Sequence, residues 1–172
     1  MIVVVMGVCG SGKTTVGREL ARAIGAGFIE GDDLHTTSNR AKMSSGQPLT
    51  DADRWPWLDT IAAEARRLGG ECRHVVVSCS ALKRAYRDRL RMAGPTVRFI
   101  HLTGTPELLA ERMLARTGHF MPPGLLASQL ATLEHPQPDE GAAVLDIAAA
   151  PANLVQQAIE YTAKWTKEEY VS

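Results

Sequence analysis

Ile2-Val3-Val4-Val5-Met6-Gly7-Val8-Cys9-Gly10-Ser11-Gly12-Lys13-Thr14 is the stretch that decides the fold. It opens on an apolar, mostly β-branched run, the composition of a short strand buried in a sheet. Gly7 to Thr14 then fits the phosphate-binding pattern G-x-x-x-x-G-K-[ST]. The glycines let successive N–H groups turn inward on phosphate oxygens. The helix that follows aims its N-terminal amides and its dipole at the same anion. Lys13 supplies a charge for the β- and γ-phosphates, and Thr14 a hydroxyl for Mg²⁺. The expected nucleotide contacts are Gly7, Val8, Cys9, Gly10, Ser11, Gly12, Lys13, Thr14 and Thr15.

Outward from the loop, Val16, Leu20, Ala23 and Ile24 keep helical spacing, and Gly25 is the expected stop. Gly27 to Glu30 reads as a second strand, with Asp32 and Asp33 just beyond it. Residues 34–70 are more polar and read as a helical insertion. Its first helix is expected over Leu34 to Ser44. Its second starts near Thr50 and carries the stripe Trp55, Leu58, Ile61, Ala62, Ala65 and Leu68. Pro56 is expected in the first turn, and Trp55 in the core. Further strands are expected over 74–79, 97–102 and 143–148. Helices are expected over 81–92, from Thr105 to about Thr117, over 125–133, and from Pro151 through Trp165. Strands alternating with helices imply an α/β three-layer sandwich: a five-stranded parallel sheet covered on both faces. Its ligands belong on the rim formed by the strand C-termini.

At 172 residues the chain is expected to form one domain. Its 19 basic and 19 acidic residues cancel, which argues against a nucleic-acid or membrane-surface protein. Cys9, Cys72 and Cys79 show no metal-type spacing and read as reduced thiols of a cytoplasmic protein. No apolar run is long enough to span a bilayer.

The loop alone does not choose among nucleotide proteins. A GTPase needs Asn-Lys-x-Asp, yet neither Asn39 nor Asn153 is followed by lysine. An ATPase usually ends the strand beside the loop strand with an acid, and Val77-Ser78-Cys79-Ser80 has none. Glu30, Asp32 and Asp33 lie at the end of the second strand instead. That suits a small-molecule kinase, in which a carboxylate meets both a substrate hydroxyl and the Mg²⁺ region.

Several blocks carry a more specific signal. They are Gly31-Asp32-Asp33-Leu34-His35, Asn39-Arg40-Ala41-Lys42-Met43, and the run from Gly46 to Leu58. Others are Cys79-Ser80-Ala81-Leu82-Lys83, Tyr86-Arg87-Asp88, Arg112, Arg116-Thr117-Gly118-His119-Phe120, Ser128-Gln129 and Thr132-Leu133-Glu134. In these blocks the chain resembles gluconokinases of the phosphate-loop type, relatives of shikimate kinases. Thr36 stands where that family often has proline, a position that supplies no ligand.

The resemblance implies a P-loop NTPase-type fold and ATP-dependent phosphorylation of D-gluconate at its 6-hydroxyl. It also implies a homodimer, a substrate-binding insertion over about 34–70 and a lid over about 112–135. His35, Arg40, Arg54, Ser80, Lys83, Arg87 and His119 become the expected substrate residues. Arginine suits the carboxylate because its planar fork gives paired hydrogen bonds. Asp32 is the expected base or orienter of the accepting hydroxyl. Glu30, two residues earlier on the strand, is expected to hold Mg²⁺ through water. Arg116 is expected to close over the γ-phosphate, and Arg112 to lie along the adenine. A kinase for another polyhydroxy acid, or a catalytically silent nucleotide-binding domain, are the alternatives. Intact Lys13, Thr14, Asp32 and Arg116 stand against the silent domain.

Overall fold

The computed structural model describes residues 1–115 and 123–169. Five strands form one sheet: β1 (Ile2–Met6), β2 (Gly27–Glu30), β3 (Val75–Ser78), β4 (Val97–Thr103) and β5 (Ala143–Asp146). All pair in parallel, in the order β2-β3-β1-β4-β5. Every residue of β1 and β3 is buried. Side chains alternate between faces along a strand, so burial of all of them means that both faces are covered. The order changes direction at β1, which puts the phosphate loop at the crevice where open α/β sheets bind ligands.

The helices are α1 (Lys13–Ile24), α2 (Thr37–Ser44), α3 (Asp51–Gly69), α4 (Arg84–Arg91), α5 (Pro106–Leu114), α6 (Pro123–Thr132) and α7 (Pro151–Glu169). α1 packs with α7, and α3 packs with α4. Gly25 ends α1 in the left-handed conformation, as expected. Thr50 and Asp53 form a reciprocal capping box at the start of α3. Among the described residues, no helix is long and apolar enough to cross a membrane.

Four local expectations change. The first insertion helix starts at Thr37, because a 3₁₀ turn over Gly31–Leu34 comes first and the Thr36 side chain caps α2 by accepting from Asn39 N–H. α4 starts at Arg84, because Ala81 takes a positive φ of 44°, which no helix accommodates. Pro56 lies past the first turn of α3, so the Ala52 carbonyl loses its intrahelical donor. Trp57, at 1% exposure, is the core tryptophan of that helix, whereas Trp55 is half-buried with its ring edge-on to Tyr86.

Candidate active site

Gly12 caps α1 with no side-chain acceptor, so the first-turn amides stay open toward a ligand. The loop is wedged from behind. At Gly10, φ is 80° and a Cβ would lie 2.7 Å from the Leu109 carbonyl oxygen of α5. The Val8 carbonyl accepts from the Ser11 hydroxyl at 2.8 Å and from Lys13 Nζ at 3.1 Å. The Cys9 N–H donates to Oε1 of Gln129, from α6, at 2.7 Å.

The missing acid on β3 has a structural explanation. Glu30 of β2 lies in register with Ser78 of β3, and the Ser78 hydroxyl donates to Glu30 Oε1. The neighbouring strand thus supplies the carboxylate, and β3 supplies its support. Glu30 Oε2 is buried with no hydrogen-bond partner among the described residues. The chain then turns tightly: a Cβ at Gly31 would sit 2.3 Å from the Ser78 carbonyl oxygen. Asp32 rides on the 3₁₀ turn rather than on the strand, so strand alternation is not what orients it. Its side chain is 67% exposed.

His35 follows on the same turn. Its ring stacks on Trp57 with centroids 4.0 Å apart, while Trp57 Nε1 donates to the Gly31 carbonyl at 2.7 Å. Burial is the main reason its pKa falls to about 4, helped by Arg54 and Arg40 against the opposing pull of Asp32. The imidazole is therefore neutral at physiological pH. Asn39 Nδ2 lies 3.4 Å from Nδ1, which assigns Nδ1 as acceptor and the ring proton to Nε2. Nε2 is 4.0 Å from Asp32 Oδ1.

One pocket joins these parts. Lys13, Asp32, His35, Arg54 and Ser80 line it, with Cys9 from the loop. Met43, Pro48 and Leu49 of the insertion form its apolar side, and Leu125, Ser128, Gln129 and Thr132 of α6 form a further wall. Arg54 is 8% exposed, and its side chain has no hydrogen bond or ion pair among the described residues. Its guanidinium lies 5.7 Å from the Tyr86 ring centroid.

The other expected basic residues go elsewhere. Lys83 pairs with Asp51 at 2.8 Å and does not line the pocket. Because Asp51 opens α3, this bond fixes the turn that carries Arg54. Arg40 donates to the His35 and Asp33 carbonyls. Arg87 is a correction: it is fully buried, pairs with Glu140 at 2.6 Å, and donates to the Ala81, Leu82 and Glu134 carbonyls. A guanidinium buried this fully and committed to a carboxylate is out of a substrate's reach. Arg112 donates to the Ile147 carbonyl at 2.6 Å, beside the loop that follows β5. Arg116 and His119 lie outside the described residues. Sequence reasoning gave no role to the α6 wall, although 125, 128, 129 and 132 share one helical face.

A family model described as an AAA domain matches residues 2–136. The chain is 46% identical to the thermosensitive gluconokinase of Escherichia coli over 155 residues, covering 90% of this chain and 83% of that one. It is 52% identical to a gluconokinase of Gluconobacter oxydans over 137 residues, covering 80% and 77%. The crystal structure of a gluconokinase from Sinorhizobium meliloti superposes with a TM-score of 0.88 at 50% identity, covering 98% of this chain and 95% of that one. With its sheet order, its phosphate loop and similarity on this scale, the chain belongs to the gluconokinase family.

Proposed function

We propose that this chain transfers the γ-phosphoryl group of ATP to the 6-hydroxyl of D-gluconate, giving 6-phosphogluconate and ADP. The observation that carries this reading is Arg54: a buried guanidinium without a carboxylate partner among the described residues, lining the same pocket as Lys13 and Asp32. A buried charge is costly unless something pairs with it, and a ligand carboxylate is the pairing group that fits a planar fork. A sugar acid satisfies both ends of the pocket. Its carboxylate pairs with Arg54 beside the insertion, and its terminal alcohol reaches Asp32 beside the phosphate loop.

In this mechanism the loop amides and Lys13 hold the triphosphate. Lys13 leaves the Val8 carbonyl to do so. Asp32 orients the 6-hydroxyl and accepts its proton as the O–P bond forms, while ADP leaves in line. Neutral His35 donates through Nε2 to a substrate oxygen and adds no positive charge. Ser80 contributes a hydroxyl. Arg112, with the loop after β5, flanks the adenine. Arg116 and His119 belong to a lid over about 112–135, which excludes water and neutralises charge on the transferring group.

The donor set fits Mg²⁺. Glu30 Oε2 is a buried oxygen in need of a partner, and Thr14 supplies a hydroxyl from α1; a hard cation that keeps its waters suits both. When bound, Mg²⁺ neutralises charge on the β- and γ-phosphate oxygens.

A coupled ADP-release assay over gluconate, shikimate, other sugar acids and nucleoside monophosphates tests the reading. Turnover with gluconate above all others is the expected result. Turnover at background with gluconate overturns it.

A further inference from the structure

The mechanism gives the α6 wall no contact with the substrate, yet it touches the phosphate loop directly. Cys9 N–H is a pure donor, so the atom of Gln129 that meets it at 2.7 Å is the carbonyl Oε1. That bond pins the carboxamide and leaves both donors of Nε2 without a partner among the described residues. One turn away, the Thr132 hydroxyl donates to the Ser128 carbonyl at 2.8 Å, which leaves its lone pairs free to accept. Ser128 adds a hydroxyl with no hydrogen bond among the described residues. All three side chains line the pocket that holds Lys13, Asp32 and Arg54. A linear acid held at one end by Arg54 and at the other beside the loop must lay its middle carbons along some wall. A wall of fixed donors and acceptors complements hydroxyls, which both donate and accept.

We propose that this polar face of α6 reads the secondary hydroxyls of the substrate. Gln129 is its main specificity-determining residue: Oε1 anchored on Cys9 N–H, Nε2 donating to the hydroxyl next to the one phosphorylated. The inference rests on the gluconate reading above and deepens it. Selection works by loss: a site built to bond a hydroxyl rejects the analogue that lacks it, because the site's own polar groups are then stranded.

The test is a cycle of two enzymes and two substrates. Wild type and Gln129→Met are each assayed with D-gluconate and with its 5-deoxy analogue, with KM for ATP measured alongside. Wild type is expected to prefer gluconate by about 30-fold or more in kcat/KM. Gln129→Met is expected to lose activity on gluconate while its preference falls to about 3-fold or less. Should that variant fail to fold, judged by thermal melting with and without ATP, Ser128→Ala and Thr132→Val are put through the same cycle, and a drop in preference in either supports the proposal. A preference unchanged in every folded variant overturns it. So does a variant whose only defect is a raised KM for ATP, since Gln129 would then act on the loop alone. Absence of gluconate turnover by the wild type sinks the functional reading itself; turnover with an unaltered preference sinks only this inference.

Discussion

Arg54 and Arg87 are both buried arginines, yet their surroundings are opposite. Arg87 has the Glu140 carboxylate and three backbone carbonyls. Its hydrogen bonds are the main reason the Glu140 pKa is held at about 2. Arg54 has an aromatic face and a pocket. Both regions bury the same guanidinium, but one satisfies it internally and the other leaves it for a ligand. The lesson is that burial does not separate a structural charge from a binding charge; the count of partners does.

The largest expected effect lies on the structural side. Arg87→Met leaves buried Glu140 with only Arg91 at 3.3 Å and the Gln137 N–H, and should cost about 3 kcal/mol of folding free energy, read by urea denaturation. Arg87→Met with Glu140→Leu should recover most of that loss, because no lone charge remains. If the double variant is no better than the single, the pair is not the unit described here.

Arg54→Met should do the reverse. We expect kcat/KM for gluconate to fall by about 100-fold or more, with KM for ATP little changed. Stability should hold or rise slightly, since an unpaired buried charge has been removed. A large drop in melting temperature would erase the contrast between the two arginines.

Lys83→Met sits between them. It leaves Asp51 held by the Tyr86 hydroxyl alone and loosens the start of α3, so KM for gluconate should rise by about 5-fold while kcat stays within a factor of two. An effect as large as that of Arg54→Met would mean that Lys83 touches substrate itself.

The smallest expected effect is a pH slope. His35 and His101 both titrate near 4 in the folded chain, mainly because they are buried, against about 6.5 for an ordinary histidine. Between those values the unfolded chain binds more protons. This share of stability is therefore whole above pH 6.5 and is lost as pH falls toward 4. Melting scans should show a decline of a few degrees between about pH 7 and about pH 6, growing several-fold toward pH 4, and shallower in His101→Gln. Glu140 and Asp53, both lowered to about 2, give way only at lower pH.

Much of this was legible in the sequence because its signals are local. The phosphate loop, the Gly25 stop and the Thr50 capping box each depend on neighbours a few residues away. The fate of the arginines was not. Arg87 reads as a substrate residue until Glu140 and Glu134 arrive from about 50 residues downstream. Ala81 shows why α4 starts late: its carbonyl is held by Arg87, a demand that no propensity encodes. The two tryptophans flank one stripe on α3. Which of them is buried depends on where His35 stacks, and that is fixed by the turn at Gly31. Gln129 stood in the sequence with no role because its partner, Cys9, lies 120 positions earlier.

The order in which strands join the sheet bears on how the chain is made. β1 emerges first, but its neighbours β3 and β4 begin only at Val75 and Val97. A nascent chain shorter than that carries an unpaired apolar ribbon with both edges bare, a template for pairing with the wrong molecule. Synthesis that stalls within the insertion should therefore yield aggregates rather than a small folded fragment, and nucleotide should rescue solubility only in fragments that extend past β4.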